Sequence, residues 1–340
     1  MALFQMKTEE LPVSVIIPFY NSEKYIRKCL DSIIGGIKIR YEMICVNDGS
    51  TDGSEDIVKE YCSANEAVKL ITLPENKGLY HARLTGIKAA QGKYIGFVDS
   101  DDCIASRYFD KLYRSAERRG ADIAVGQIVN VDLSGVKYVQ TRCEQFPYLN
   151  GERRRELYEM YWKQSGRCYH WHVVWNKLYR RELWMNAIEI LECQTKHLIM
   201  LEDFIFSSVV LSGASTYVAV PSARYFYIAH PGASTAYGGG FAKTRFDISS
   251  MRSAFEFVEV FLKSGDMWRS YGEFFEEWKQ RYGRYWKRNI NRSQMTDEEK
   301  NICIGMLEQM VGGAICNVLP EDEYYYELAT TDQNFIKQSK

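Results

Sequence analysis

The densest group of ionisable residues in the sequence is an acidic run of four. Asp99-Ser100-Asp101-Asp102 places three carboxylates directly after the apolar stretch Tyr94 to Val98. Carboxylates this close repel one another unless water, hydrogen bonds or a cation neutralises them. Because carboxylate oxygens are hard ligands, magnesium or manganese is the cation that fits. The alternative is a solvated acidic turn that caps a helix near Ser106, but the position of the run favours the metal site.

Two further polar clusters follow apolar stretches earlier in the chain. They are Pro18-Phe19-Tyr20-Asn21 and Asn47-Asp48-Gly49-Ser50. The carboxylate of Asp48 can accept a hydrogen bond from a nucleobase N–H or a ribose hydroxyl, and the glycines nearby allow a sharp turn beside a flat ligand. A tight turn in which Asp48 caps backbone amides explains the same residues equally well. Both interpretations stay open at this point.

The apolar stretches before these clusters predict the strands that carry them. Those strands cover Val13 to Ile17, Met43 to Val46, Val68 to Leu73 and Tyr94 to Val98. Short, nearly all-apolar runs suit strands that are covered on both faces. Their alternation with helical patterns predicts an α/β fold with a largely parallel central sheet. Ligands bind at the carboxyl ends of such strands, so the three polar clusters should share one crevice.

Apolar residues at helical spacing predict the helices between these strands. We expect Asn21 or Ser22 to cap the first helix and Gly92 to end the third. The other predicted elements are a helix from about Ser54, helices over Tyr80 to Ala90 and Ser106 to Arg119, and a strand over Ile123 to Val129.

The second half of the sequence becomes helical towards its end. One helix is expected around Glu202 to Leu211. From Arg245 onward, apolar and aromatic residues keep helical spacing with lysine and arginine interleaved. Such helices suit either packing against the rest of the protein or contact with an acidic membrane surface. We therefore expect a catalytic domain over residues 11–240 and a helical C-terminal region over residues 241–335.

Composition and charge exclude several classes of protein. A formal net charge of -1 gives no electrostatic argument for a nucleic-acid partner. Nine cysteines without a C-x-x-C pair describe neither a zinc site nor a disulfide framework, which favours a reducing compartment. The first residues lack the pattern of a signal peptide, and no stretch approaches the ~20 apolar residues that span a bilayer. We expect a cytoplasmic protein whose membrane contact, if it has one, is peripheral, at the inner membrane face.

Taken together, the motifs resemble the nucleotide-binding half of family 2 glycosyltransferases. Four linked motifs in the same order and spacing are far more specific than any one of them. The matching stretches are Val13 to Asn21, Val46 to Ser54, Glu75 to Gly78 with Ala82, Arg83 and Gly86, and Phe97 to Asp102. The resemblance implies a GT-A fold. It also implies an inverting enzyme that moves a sugar from a nucleotide diphosphate sugar, with UDP as the expected nucleotide, to an acceptor hydroxyl.

The same resemblance implies roles for individual residues. Asp99 would contact the ribose, and Asp101 would hold Mn²⁺ or Mg²⁺ on the donor diphosphate. The other residues expected to bind the donor nucleotide are Pro18, Tyr20 and Asp48 around the base, Asn76 and Arg83 nearby, and Asn21 and Ser100.

A thinner resemblance continues downstream. Val174 to Leu183 looks like a block found in many members of the family, and Leu201-Glu202-Asp203-Phe204 follows at the expected distance. By resemblance Asp203 is the catalytic base, with Glu202 beside it. Tyr225 to His230, with Ser234 and Thr235, look like the loop over the donor diphosphate, which makes His230 a second candidate metal ligand.

Elementary chemistry supports a catalytic role for the acidic pair. Inverting transfer needs a base within ~3 Å of the acceptor hydroxyl. Adjacent acids disfavour ionising together, which can raise the pKa of one of them towards the working pH. From the residues alone, Glu202-Asp203 also fits an acidic pair stabilised at a helix N-terminus.

Two other functional classes remain as alternatives. A sugar nucleotidyltransferase requires a glycine-rich phosphate loop after the first strand, where this chain has Pro18-Phe19-Tyr20-Asn21. A non-catalytic nucleotide-sugar-binding module needs no base, whereas Asp101 and Asp203 are both present here. The expected acceptor is a glycan or a lipid-linked glycan in cell-surface polysaccharide synthesis, and the sequence leaves the sugar and the acceptor open.

Overall fold

A computed structural model describes residues 10–139, 149–150, 156–165, 171–230 and 240–315. Strands and helices alternate in the first half, and helices dominate the end. The strands are β1 Val13–Phe19, β2 Tyr41–Asn47, β3 Val68–Thr72, β4 Tyr94–Phe97, β5 Cys103–Ile104, β6 Ile123–Val131, β7 Lys137–Tyr138, β8 Leu149–Asn150, β9 Lys177–Arg180 and β10 Thr216–Ile228. The helices are α1 Ile26–Ile34, α2 Ser54–Ala64, α3 Leu79–Ala89, α4 Tyr108–Arg119, α5 Glu156–Ser165, α6 Arg181–Glu192, α7 Glu202–Val210, α8 Gly240–Ser264, α9 Trp268–Arg292 and α10 Asp297–Val311.

One curled sheet forms the centre of the molecule, in the order β3-β2-β1-β4-β9-β6-β10-β5. The longest pairings, β1 with β2 and β6 with β10, are parallel, as are β2 with β3 and β1 with β4. Short antiparallel pairings join β9 to both β4 and β6. The largely parallel α/β fold predicted from the sequence is therefore confirmed.

Close helix–sheet packing explains two glycines of the first half. A Cβ on Gly86 of α3 would lie 2.4 Å from Cγ2 of Ile16 in β1, and one on Gly96 of β4 would lie 2.3 Å from Cε1 of Phe109 in α4. Non-bonded carbon atoms do not approach so closely, so only glycine allows the helices and the sheet to meet at these points. Every residue of β1 is buried, which accounts for its nearly all-apolar sequence; the exception is Ser14, whose hydroxyl donates to Glu42 at 2.6 Å.

Two predicted helix caps are wrong. α1 begins at Ile26, after a turn in which the Ser22 carbonyl oxygen accepts the backbone N–H groups of Tyr25 and Ile26, and no side chain caps it. The Ser22 hydroxyl instead contacts the Tyr20 carbonyl oxygen and the Ser100 hydroxyl. α3 ends at Ala89, and Gly92 lies beyond the helix end. Gly92 packs instead against β1, where a Cβ would lie 2.5 Å from the backbone nitrogen of Ser14. Contacts with Ser100 and with β1 thus override the local capping pattern.

The predicted helical C-terminal region is confirmed in the part of the chain that the structure describes. Trp278 of α9 is buried, and its ring centroid lies 3.9 Å from that of Phe204 in α7. At least this aromatic residue serves packing. A capping box between Thr296 and Glu299 begins α10. None of the helices in the described ranges has the length and apolar character needed to cross a bilayer. The domain limits at residue 240, the cellular location and peripheral membrane contact stay predictions.

Candidate active site

The three polar clusters meet at the carboxyl edge of the sheet, because β1 lies between β2 and β4. The hydroxyl oxygens of Ser22 and Ser100 are 2.7 Å apart, which joins the end of β1 to the acidic run. Asn21 donates its backbone N–H to the Ser50 hydroxyl at 3.0 Å, and its side-chain oxygen accepts the Thr51 N–H at 2.8 Å. These bonds hold Asn21 with a positive φ of 48°. The predicted convergence is confirmed.

Asp48 fixes the loop that leads into α3. Its two carboxylate oxygens accept the backbone N–H groups of Lys77 at 2.8 Å and Gly78 at 2.9 Å. Burial raises the pKa of Asp48 above its ordinary value, although both hydrogen bonds act in the opposite direction. The turn-capping interpretation of Asp48 is therefore present in the structure. Contact of Asp48 with the nucleobase of a donor remains a prediction.

The other residues predicted around the base lie on the same side of the site. Pro18 is buried at the end of β1, whereas the Tyr20 side chain is 47% exposed and presents a flat ring to solvent. Asn76 lies against Gly49: a Cβ on Gly49 would be 2.8 Å from the backbone nitrogen of Asn76. A glycine with φ of +73° is thus required where the two loops touch.

One carboxylate of the acidic run has a structural role. The Tyr225 hydroxyl accepts the backbone N–H of Asp99 at 3.1 Å and donates to Asp102 at 2.8 Å. The second oxygen of Asp102 accepts the Ile228 N–H at 2.8 Å. Burial, together with the charges of Asp101 and Asp99, raises the pKa of Asp102 well above its ordinary value. Asp102 therefore ties the acidic run to β10, and β10 in turn positions His230.

Asp101 and His230 come together, as the sequence predicts for two metal ligands. Asp101 Oδ2 lies 2.6 Å from His230 Nε2, with the carboxylate side chain 33% exposed and the imidazole 10% exposed. The His230 ring lies 4.4 Å from that of Tyr25, and its buried Nδ1 has no hydrogen-bond partner among the described residues. One carboxylate oxygen and one imidazole nitrogen fit a divalent cation that takes its remaining ligands from substrate phosphates and water.

The cation itself stays a prediction. No group of three or more potential metal ligands occurs within residues 10–139, 149–150, 156–165, 171–230 and 240–315. Ser234 and Thr235, predicted to belong to the loop over the diphosphate, lie outside the described residues.

Arg83 is the centre of the charged network. It is 1% exposed, and its guanidinium contacts Asp99 at 2.7 Å, Asp203 at 2.6 Å and Glu202 at 3.1 Å. Arg83, which the resemblance places near the nucleobase, therefore joins the donor side of the site to Glu202 and Asp203 on α7. Its role in donor binding stays a prediction.

Burial makes the acidic pair easier to protonate than ordinary carboxyls. It raises the pKa of Glu202, and the adjacent charge of Asp203 raises it further. Burial also raises the pKa of Asp203, while Arg83 opposes the shift. Two neighbouring acids with raised pKa values favour a state in which one carries a proton and the other is ionised. That state supplies a base at neutral pH.

Tyr225 joins Asp99 to Asp102, and the sequence pattern does not distinguish it within the segment from Tyr225 to His230. Lys177 is buried, and the sequence pattern does not distinguish it within the block from Val174 to Leu183. A charged residue at the start of a short strand ordinarily indicates a solvent-facing position. The pairing of β9 between two buried strands reverses that expectation.

This sheet, with three polar clusters at its carboxyl edge and an acidic pair facing them, is a GT-A nucleotide-binding fold. The family model described as glycosyl transferase family 2 matches residues 14–183, which is half of the chain. The chain therefore belongs to glycosyltransferase family 2.

Two curated relatives share part of this sequence. Glycosyltransferase EpsJ of Bacillus subtilis is 33% identical over 223 residues, which cover 66% of this chain and 62% of EpsJ. The poly(ribitol-phosphate) beta-glucosyltransferase of Bacillus spizizenii is 41% identical over 129 residues, covering 37% of this chain and 20% of that protein. The chain thus spans less than two thirds of either relative.

A solved structure shares the fold. Residues 1–349 of S. aureus TarS in complex with UDP-GlcNAc align with a TM-score of 0.55 at 18% identity, covering 88% of each chain. The alignment extends over most of the chain, well beyond the 170 residues that the family model matches.

Proposed function

We propose that this protein is an inverting glycosyltransferase that transfers a sugar from a nucleotide diphosphate sugar to an acceptor hydroxyl. The observation that carries the proposal is the contact of Arg83 with both Asp99 and Asp203. Through it a donor-side carboxylate and a buried carboxylate pair form one charged site. TarS, the structural neighbour, was solved with UDP-GlcNAc, which supports a UDP-sugar as the donor.

In this mechanism Asp203 accepts the proton of the acceptor hydroxyl. The hydroxyl oxygen forms a bond to the anomeric carbon as the bond from that carbon to the donor diphosphate breaks. The electron pair of the broken bond leaves with the nucleoside diphosphate, and the attack inverts the anomeric configuration. The transition state has oxocarbenium character, as in other glycosyl transfers. No second covalent step is needed.

Asp101 and His230 would hold the divalent cation. When bound, Mn²⁺ or Mg²⁺ supplies positive charge to the departing diphosphate. Tyr225 and Asp102 position these ligands, since they hold the acidic run against β10. The exposed Tyr20 ring provides a stacking surface for the base.

A glycan of a cell-surface polysaccharide, free or lipid-linked, is the acceptor class that we propose. The name of the beta-glucosyltransferase relative specifies a poly(ribitol-phosphate) acceptor for that protein, and a beta product. A polymer of this kind offers many equivalent hydroxyl groups. Acceptor screening should therefore begin with surface glycopolymers and their lipid-linked precursors.

Thermal stabilisation by nucleotides tests the donor site. We expect nucleoside diphosphates with manganese to raise the Tm, and Asp101→Ala to abolish the metal-dependent part of this increase. Asp203→Asn should keep donor binding but lose sugar transfer by about 10²–10⁴-fold. Undiminished transfer by Asp203→Asn would show that another group is the base.

Combining the thermal-stabilisation and transfer assays distinguishes the enzyme from the alternative, a non-catalytic nucleotide-sugar-binding module. Such a module would be stabilised by the donor but would neither transfer sugar to any glycan nor release the nucleotide. The anomeric configuration of a product, read by NMR coupling constants, decides between inversion and retention. Absence of stabilisation by every nucleotide, with and without metal, would contradict both proposals.

A further inference from the structure

Ser250 of α8 is a buried serine whose hydroxyl bonds outside its own helix. Its side chain belongs to the core, with 3% of the residue exposed. Its Oγ accepts the backbone N–H groups of Ile199 at 3.2 Å and of Met200 at 3.1 Å, and it donates to the Met200 carbonyl oxygen at 3.3 Å. Two accepted hydrogen bonds and one donated hydrogen bond use the full capacity of a hydroxyl. That capacity is spent on the turn at Ile199 and Met200.

Two other hydroxyls of α8 bond within the helix, as helical hydroxyls often do. Thr244 donates to the Gly240 carbonyl oxygen at 2.9 Å, and Ser253 donates to the Ser249 carbonyl oxygen at 3.1 Å. In both cases the acceptor lies four residues earlier, which is the local pattern for serine and threonine in a helix. Ser250 bonds instead to a segment 50 positions earlier in the chain. Local helix geometry therefore does not account for its contacts.

The turn held by Ser250 leads directly into the acidic pair. Leu201 follows Met200 with φ of +63°, a left-handed conformation that is costly for leucine. α7 begins at the next residue, Glu202, and no side chain caps it. A strained residue of this kind persists only when the surrounding structure holds it in place. The hydrogen bonds to the preceding turn therefore help to set the direction of α7 and the positions of Glu202 and Asp203.

The same segment also touches the loop on the donor side. A Cβ on Gly78 would lie 2.7 Å from the Leu198 carbonyl oxygen and 2.9 Å from Cδ2 of His197. The Gly78 backbone N–H is in turn held by Asp48 at 2.9 Å. The segment from His197 to Met200 thus lies between the loop before α3 and helix α8. A shift of this segment would move the start of α7 relative to the donor side of the site.

We propose that Ser250 is a positioning residue, through which α8 fixes the start of α7 and holds Asp203 within reach of the acceptor hydroxyl. This inference rests on the proposed function of Asp203 as the base. Ser250 itself contacts no substrate and acts only through the turn at Ile199 and Met200. The inference gives the C-terminal helical region a part in catalysis, in addition to packing.

The test compares kcat in Ser250→Ala with kcat in Ser253→Ala, which removes a hydroxyl that bonds within α8. Misplacing a reacting group by about 1 Å costs on the order of 10²-fold in rate, so partial release of the turn should lower kcat about ten-fold or more. The donor KM and the stoichiometry of donor binding should stay those of the wild type. Ser253→Ala should keep the wild-type kcat. Ser250→Thr keeps a hydroxyl on the same carbon and should retain most of the rate.

A second comparison shows whether Ser250 acts through Asp203. In the Asp203→Asn background, Ser250→Ala should lower the residual kcat by less than about two-fold, because the group that it positions is already lost. An equal fall in both backgrounds would indicate a general structural role and overturn the proposal. An unchanged kcat in Ser250→Ala would also overturn it. Undiminished transfer by Asp203→Asn would overturn the proposed base and this inference together, so the two failures are distinguishable.

Hydrogen exchange keeps the inference falsifiable if Ser250→Ala does not fold. Ile199 and Met200 lie outside helices and strands, so their amides depend on the Ser250 hydroxyl for protection. In the wild-type protein NMR should show both amides exchanging at least about ten-fold more slowly than that of the exposed Thr195 in the same loop. Exchange as fast as that of Thr195 would contradict the inference. Where Ser250→Ala folds, both amides should exchange faster than in Ser253→Ala.

Discussion

Replacing Arg83 by methionine tests whether one buried guanidinium holds the site together. Methionine keeps an apolar stem but removes the contacts with Asp99, Asp203 and Glu202, whose side chains are 22%, 14% and 11% exposed. Removing one partner of a buried ion pair costs about 3–5 kcal/mol. Because three carboxylates lose the same partner, we expect a loss of at least about 3 kcal/mol at alkaline pH.

The loss should depend on pH in a defined direction. Burial raises the pKa of Glu202 and of Asp203 in the folded protein, and loss of Arg83 raises both further. When the folded pKa exceeds the unfolded value, stability is full below the unfolded pKa and falls as the pH rises through the folded pKa. The difference between wild type and Arg83→Met should therefore be small at about pH 4 and should grow as the pH rises through the wild-type folded pKa values, about 6 for Asp203 and about 8 for Glu202. It should reach its full size only above about pH 8, where the further raised pKa of Glu202 in the variant lies.

Urea unfolding at several pH values measures this difference directly. Arg27→Met is the matched control, because Arg27 contacts Glu60 at 2.8 Å with both side chains exposed. An exposed pair of this kind contributes little to stability at any pH. The reasoning would be refuted by an Arg83→Met loss no greater than that of the control, or by an equal loss at acidic and alkaline pH.

Two other predictions concern packing and a buried carboxylate. Gly86→Ala should destabilise by about 1–3 kcal/mol because its Cβ meets Ile16, whereas Gly305→Ala in α10, with no atom within 4 Å, should stabilise by about 0.5–1 kcal/mol; urea midpoints compare the two. Burial raises the pKa of Glu42, but hydrogen bonds, that of Lys69 foremost, outweigh it and lower the value. Glu42→Gln should therefore cost about 1–3 kcal/mol near neutral pH, and the difference should vanish on acidification below about pH 3.

The positions of the donor-side loops could be predicted from local patterns. Each apolar run before Asn21, Asp48 and Asp99 was long enough to indicate a buried strand. A parallel sheet brings the carboxyl ends of neighbouring strands together without any further information. The hydrogen bonds between Ser22 and Ser100 and between Asn21 and Ser50 are consequences of that geometry.

The charged centre of the site could not be predicted in the same way. Arg83 lies on α3, and no local pattern connects it with Glu202 and Asp203, which follow about 120 positions later. β9 has four residues, two of them basic, and carries neither the length nor the apolar character of a buried strand. Its place in the sheet depends on antiparallel pairing with β4 and β6, which are distant in sequence. Such pairings leave no signal in a window of ten residues.

Contacts between elements that are distant in sequence explain why an arginine can be buried in this site. α3 carries Arg83 to Asp99 after β4 and to Glu202 and Asp203 at the start of α7. A guanidinium is costly to bury without carboxylates, and three carboxylates are costly to bury together without a cation. The charges therefore favour one arrangement of α3, α7 and the end of β4, and the proposed role of Asp203 as the base depends on that arrangement.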